Sequence, residues 1–306
     1  MGRFCQRFAA RQWRTFGFAF VHLVTIVGCG GAPRSRFPDA EAALARMRAT
    51  HACSRGLMGE AKADFIDSRG RVRGNVSILV ALPDRTRLDV FSPFGVSLST
   101  LTTEQGQFAF FDLGQKLYIE GPASPCNIAR FTQVPMPPFA LVQLLRGEAP
   151  VLKHVSTEAS IAWSSGLFGG GRYRVEIRGQ YESLETIDIV PHPDDFERPW
   201  QEQRVRVLRV DLAQQGLELY QAELEGHRTA ETAKTRQDPD GLDPDLPPSG
   251  PACSAEVPRR MRLVVPDGSR DLVLHFDRVE HNPPLVTGAF RQIRPDGVRV
   301  SRADCR

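Results

Sequence analysis

Thiol chemistry is the first that the residues suggest, because the chain has six cysteines, at positions 5, 29, 53, 126, 253 and 305. None forms a Cys-x-x-Cys pair, so neither a thioredoxin-type redox centre nor a paired-cysteine zinc site has support. Setting aside Cys5 and Cys29, which fall in or beside an N-terminal segment of different character, leaves Cys53, Cys126, Cys253 and Cys305. An even number suits two disulfides in an oxidising compartment, and four cysteines allow three connectivities. The expected pairing is Cys53–Cys126 with Cys253–Cys305, the second bond tying the final strands to the loop before them. Other chemistry finds little footing. The Gly-x-Ser-x-Gly, His-Glu-x-x-His, phosphate-loop and dinucleotide motifs are all missing, and the glycines at 169–171 read as a hairpin turn. His192, Asp194, Asp195 and Glu197 could donate to a hard cation but read more simply as solvated loop charge. His275 alternates with core residues and His281 opens a Pro-rich turn, neither with a partner that would make it a general base. No catalytic residue, metal or cofactor is expected, and an envelope hydrolase is the least favoured reading.

The N-terminal segment carries a different chemistry. Residues 1–28 hold four arginines and no acid, followed from residue 16 by an apolar stretch broken only by His22 and Thr25. A basic start and a short apolar run form the layout of an export signal. Ile26-Val27-Gly28-Cys29 resembles the bacterial lipobox, and by that resemblance Cys29 is the expected lipidated N-terminus, with residues 1–28 removed and 29–38 as a tether. Several acyl chains, each contributing about 0.8 kcal/mol per buried CH₂, would hold the protein on a membrane. Gly30 stands where an inner-membrane retention Asp would be, which favours an outer-membrane, periplasm-facing address. The net charge of +3 belongs to this segment. Without it the chain is close to neutral, and no basic run interleaved with aromatics appears, which argues against a nucleic-acid partner.

The body is built to position apolar side chains. Asp39 is an N-cap for a helix running to about residue 53, with Ala40, Ala43, Leu44 and Met47 at helical spacing. Period-2 segments follow at 58–66, 72–82, 86–92, 96–103, 107–112 and 116–120, separated by turn signals. Val76, Ile78 and Val80 share one strand face. A helical excursion interrupts the sheet: one or two turns at 126–132, and a better helix from Pro138 to Gly147, framed by Pro and Gly. Strands resume at 160–164, 172–178, 184–190, 204–212, 217–224, 259–265, 272–276 and 287–294. About a dozen strands with few helices make the fold class mainly β, a sandwich or a curved, barrel-like sheet, in a single domain over 39–306. The polar run at 227–256 reads as a mobile surface insertion.

Between residues 88 and 150 the order of features is distinctive. A strand runs into Ser92-Pro93-Phe94-Gly95, a turn at Glu104-Gln105-Gly106 precedes two more strands, and then comes Val134-Pro135-Met136-Pro137-Pro138, an apolar helix and Leu145-Arg146-Gly147-Glu148-Ala149-Pro150. This order resembles the LolB-like branch of the bacterial lipoprotein-carrier superfamily, and the resemblance covers residues 39–150. It implies a highly curved antiparallel sheet, an incomplete β-barrel, closed by an α-helical lid over an apolar cavity for acyl chains or lipidated proteins. It also places the protruding apolar residue that meets membrane or cargo on Phe94. Candidate cavity residues are Val76, Ile78, Val80, Leu88, Val90, Leu98, Phe108 and Phe110 from strands, with Phe139, Leu141, Val142, Leu144 and Leu145 from the lid. A dry cavity and a filled core both fit this pattern. The expected function is a monomeric, anchored binder of acyl chains, receiving cargo from a periplasmic carrier. The alternative is a structural or envelope-sensing lipoprotein of the same fold.

Overall fold

The computed structural model describes residues 32–68, 70–165, 170–238, 240–241, 244–266 and 270–305; the expected signal segment and lipidation site at Cys29 lie outside them. Helix α1 (Ala40–His51) opens the fold, its first turn capped by the Asp39 carboxylate, which accepts from the Ala42 amide at 2.7 Å. Six strands follow as an antiparallel meander: β1 (Gly56–Asp67), β2 (Gly70–Ala81), β3 (Arg85–Phe91), β4 (Ser97–Glu104), β5 (Gln107–Asp112) and β6 (Leu117–Pro122). Helices α2 (Pro125–Thr132) and α3 (Pro138–Leu145) come next. The second half supplies β7 (Ala159–Ser165), β8 (Gly171–Arg178), β9 (Ser183–Pro191), β10 (Val205–Gln214) and β11 (Leu217–Glu225). It also holds three two-residue strands, β12 (Arg228–Thr229), β13 (Glu231–Thr232) and β14 (Glu256–Val257), before β15 (Arg260–Val265), β16 (Arg270–His281) and β17 (Arg299–Arg302).

One sheet takes nearly all of them, in the order β17-β6-β5-β4-β3-β2-β1-β16-β15-β11-β10-β9-β8-β7. It is a large, curved, open sheet that does not close into a barrel. Strand β16 joins the two halves by pairing with β1 on one side and β15 on the other. Alternation places apolar residues on the face that the helices cover, where β1 and β2 (Leu57, Ala61, Ile78, Val80) meet β8 to β10 (Val175, Ile177, Ile187, Ile189, Val207) in one buried core. The opposite face carries ion pairs between neighbouring strands. Arg174 reaches Asp188 at 2.9 Å, and Arg262 reaches Glu223 at 3.5 Å and Asp271 at 2.7 Å.

Four expectations change. The cysteines pair as Cys53–Cys253 and Cys126–Cys305 instead of Cys53–Cys126 and Cys253–Cys305. The cause is topological: the chain after β16 crosses back to lay β17 parallel to β6, bringing Cys305 to the start of α2, while Cys253 returns beside β1. The segment at 287–294 is no strand but a run of turns around the buried Phe290, whose ring lies 5.1 Å beneath the Arg85 guanidinium. Described parts of the 227–256 run are pinned: β12 pairs β14, β13 pairs β16, and Cys253 is bonded to Cys53. The expected tether also docks. Phe37 is buried against Tyr173 and Trp200, and the Ser35 hydroxyl accepts from the Trp200 amide at 3.0 Å.

Candidate binding cavity

The strands have two unlike ends. At one end lie the tips of the β3–β4 and β5–β6 hairpins and the start of β2. At the other lie the β4–β5 turn, both disulfides, the docked Phe37 and the ends of β9 and β16.

The first end opens into an apolar cavity of about 390 Å³, within the range of small-molecule sites. Its floor is a set of cross-strand rungs. Val76 of β2 sits opposite Val90 of β3, and Ile78 opposite Leu88. Leu88 meets Leu101 of β4, which meets Phe110 of β5. Leu98 closes the rim, and Leu141 and Leu145, one helical turn apart, form the roof. Eight of the expected residues therefore come together: Val76, Ile78, Leu88, Val90, Leu98, Phe110, Leu141 and Leu145.

Five do not. Val80 lies one rung past Ile78 toward the second end and is fully buried. Phe108 packs instead with Leu101, Ile128 and Ala303 in a small satellite core. Val142 and Leu144 point from α3 into the main core, and Phe139 is 45 % exposed. Alternation fixes which face a residue takes, not how far along the strand a cavity extends. Contributors absent from the expected set include Phe65, Phe131, Val134, Met136 and Leu272. Phe131 could have been recognised, since α2 is strongly amphipathic, with Ile128 buried and Phe131 stacked 4.2 Å from Phe110.

The rim is apolar as well. In the β3–β4 tip the Ser92 hydroxyl accepts from the Phe94 and Val96 amides, and Gly95 takes a left-handed φ of 79° that a side chain would strain. This turn leaves Phe94 93 % exposed, with Val72, Val96, Leu98 and Leu113 also open to solvent. The Leu113 amide donates to the Leu98 carbonyl at 3.0 Å, which brings the neighbouring hairpin tip alongside.

The second end is polar and sealed. Arg146, only 2 % exposed, donates to Glu148 at 3.0 Å and to the His51 carbonyl at 2.9 Å. Gly147 follows with φ of 85°, turning the chain out of α3 where a side chain would crowd the His51 ring. His281 lies 3.0 Å from the Ser54 hydroxyl through Nδ1 and 2.8 Å from the Ala255 carbonyl through Nε2. The Nε2–H thus donates to the carbonyl and Nδ1 accepts from Ser54, spending the hydroxyl proton on a structural bond. Both residues are buried, and neither lines the apolar cavity. Burial, reinforced by the Arg146 charge, pushes His51 down to about 3. Asn282 completes the frame, accepting from the Arg55 amide at 2.7 Å and donating to the Cys53 and Pro251 carbonyls.

Of the residues singled out for cation binding, His192 and Asp195 serve this frame too, while Asp194 and Glu197 are exposed. Asp195 is buried and takes the Arg204 Nε at 2.7 Å; burial alone would raise its carboxyl, but the hydrogen bonds from Arg204 outweigh it and hold Asp195 at about 2. His192 sits 3.5 Å from Glu256. Among the described residues no group of three or more His, Cys, Asp and Glu is placed to hold a metal ion, and no helix is long and apolar enough to cross a membrane.

No family model matches the chain, and no curated protein does. Solved structures do. A DUF1329 family protein from Desulfovibrio piger aligns over 82 % of this chain and 96 % of its own at a TM-score of 0.52 and 11 % identity. That protein shares the fold seen here, a large curved open sheet with helices against it. A protein described as an outer membrane lipoprotein-sorting domain from Vibrio parahaemolyticus covers 82 % and 95 % at 0.48 and 10 % identity. A LolA superfamily protein from Nitrosomonas europaea covers 83 % and 98 % at 0.43 and 9 % identity. At such identities the likeness is one of fold.

Proposed function

We propose that this protein is an envelope lipoprotein, held on a membrane through acylated Cys29, that binds acyl chains of lipids or of lipidated proteins and passes them on. The observation that carries this reading is the open-ended apolar cavity, roofed by Leu141 and Leu145 and rimmed by the exposed Phe94. An exposed apolar rim is costly to keep in water unless it meets a membrane or a partner. Hydrocarbon entering past it gains about 0.8 kcal/mol per buried CH₂, with no cofactor or energy source required. The paired cysteines accord with a periplasmic setting, oxidising enough to keep them joined.

Entry runs through the first end and past α2, because α3 is a fixed wall. Its Ala140, Leu141, Val142, Leu144 and Leu145 are all buried, and Arg146 ties its end into the polar frame. The test is native mass spectrometry of the purified protein with displacement of a fluorescent fatty acid. Bound lipid that is displaced, and lost in Val90→Glu while the protein stays folded, supports the reading; a protein that ignores acyl ligands refutes it.

A further inference from the structure

The cavity is open at one end and blind at the other, and two strands show where it stops. On β2 alternate residues of one face line it from Val72 through Val76 to Ile78, but the next of that face, Val80, is fully buried in the core. On β16 the lining ends at Leu274, and the next residue of its face, Phe276, is likewise a buried core residue. These two limits meet on β1. Phe276 pairs with Ala61, which pairs in turn with Val76, and Gly59 pairs with Ile78. A Cβ on Gly59 would stand 3.2 Å from the Phe276 ring. The ring therefore lies across bare backbone at Gly59, beside the last lining residue of β2, and the missing side chain is what lets it come so close. Gly59 and Phe276 together plug the sheet face at the point where the cavity ends.

We infer that the cavity is a length-limited site for one unbranched acyl chain, which enters methyl end first and is stopped by the Phe276 ring. The opposite orientation would strand a head group among Ile78, Val80 and Phe276. The inference rests on the acyl-binding reading above and adds to it the number of chains and the length that gains from binding. At the rise of a strand Val72 and Ile78 lie about 20 Å apart. An extended chain, advancing about 1.2 Å per bond, covers that distance with about 16 carbons. The volume gives a similar figure, since 390 Å³ holds about 13 methylene groups at about 30 Å³ each. One chain fills the space and a second has no room. Carbons beyond the limit stay at the mouth, where they lose little contact with water and add little to binding.

The experiment measures displacement of a fluorescent reporter from purified full-length protein carrying Cys29→Ser, so that no acyl chain is added. Saturated straight-chain fatty acids from decanoate to eicosanoate compete, each below its micelle concentration, and native mass spectrometry counts the chains bound. Affinity should rise about four-fold for each added methylene. The rise should break at about 14–16 carbons, with less than about two-fold gained by the longer acids. One chain should bind per protein. Phe276→Ala, which leaves a void where the ring stood, should move the break to longer acids by about two carbons or more. Ala63→Leu, at a partly buried lining position opposite Gly74, should move it to shorter acids by as much. The second variant opens no void in the core, so it decides the matter if the first does not fold. Affinity that climbs evenly through eicosanoate, a break that a folded variant leaves unmoved, or two chains per protein overturns the length limit and leaves acyl binding standing. If no fatty acid displaces the reporter, the acyl-binding reading itself fails.

Discussion

The same strands end in two opposite environments. Where β2, β3 and β4 run toward the Phe94 tip, apolar side chains are left in solvent around an unfilled cavity. Where β1 and β16 run the other way, two disulfides and a buried network around Arg146, His281 and Asn282 bind the termini, helices and returning loops together. Buried polar groups are costly unless fully partnered, and exposed apolar ones are costly unless used. The contrast therefore divides the labour: one end is a frame, and the other is kept open for a ligand.

Damage to the frame should cost the most stability. Arg146→Met strands the buried Glu148 carboxylate and frees the His51 carbonyl, so it should destabilise by about 3–5 kcal/mol, the usual result of removing one partner of a buried pair. Urea unfolding measures this, and a change below 1 kcal/mol would deny the network its role. Cys53→Ser/Cys253→Ser comes next, with an expected loss of about 2–4 kcal/mol, because the bond joins positions 200 residues apart.

Acid should loosen the same end. His51 is held neutral, titrating near 3 in the fold against 6.5 unfolded, so the unfolded chain binds the extra proton. Its contribution is full above about pH 6.5 and is lost as pH falls, by up to about 1.4 kcal/mol per unit. His51→Leu should flatten the stability profile between pH 6.5 and 4, and an unchanged slope would reject this assignment.

The open end should behave in the reverse manner. Leu98→Glu, at a residue already 45 % exposed, should change stability by less than about 1 kcal/mol yet weaken acyl binding about ten-fold or more. If it unfolds the protein, or leaves binding intact, the division between the ends is wrong. The smallest effect on the fold is expected from Phe94→Ser: no measurable change in stability or in binding of a soluble fatty acid, but reduced association with lipid vesicles.

This division was only half legible in the sequence. Strand faces follow from alternation, so Val76, Ile78, Leu88 and Val90 fall on one surface by sequence alone, and Pro138 and Gly147 bracket α3. The open tip at Ser92-Pro93-Phe94-Gly95 is implied only by the resemblance to the lipoprotein carriers. The frame was hidden because its partners are remote: Ser54 and His281 lie 227 residues apart, and nothing local marks Arg146 as buried. The disulfide pairing depended on the same long-range return of the chain. The cavity's depth was equally out of reach, since Val80 and Ile78 are alike in type and face and differ only by one rung.

The most direct test is to map where hydrocarbon lies, using a fatty acid with a photoreactive diazirine near its methyl end and peptide mass mapping after irradiation. Cross-links concentrated on β2 to β5 and residues 130–145 are predicted. Cross-links on the ion-paired outer face, or around Ser54 and His281, would contradict the account.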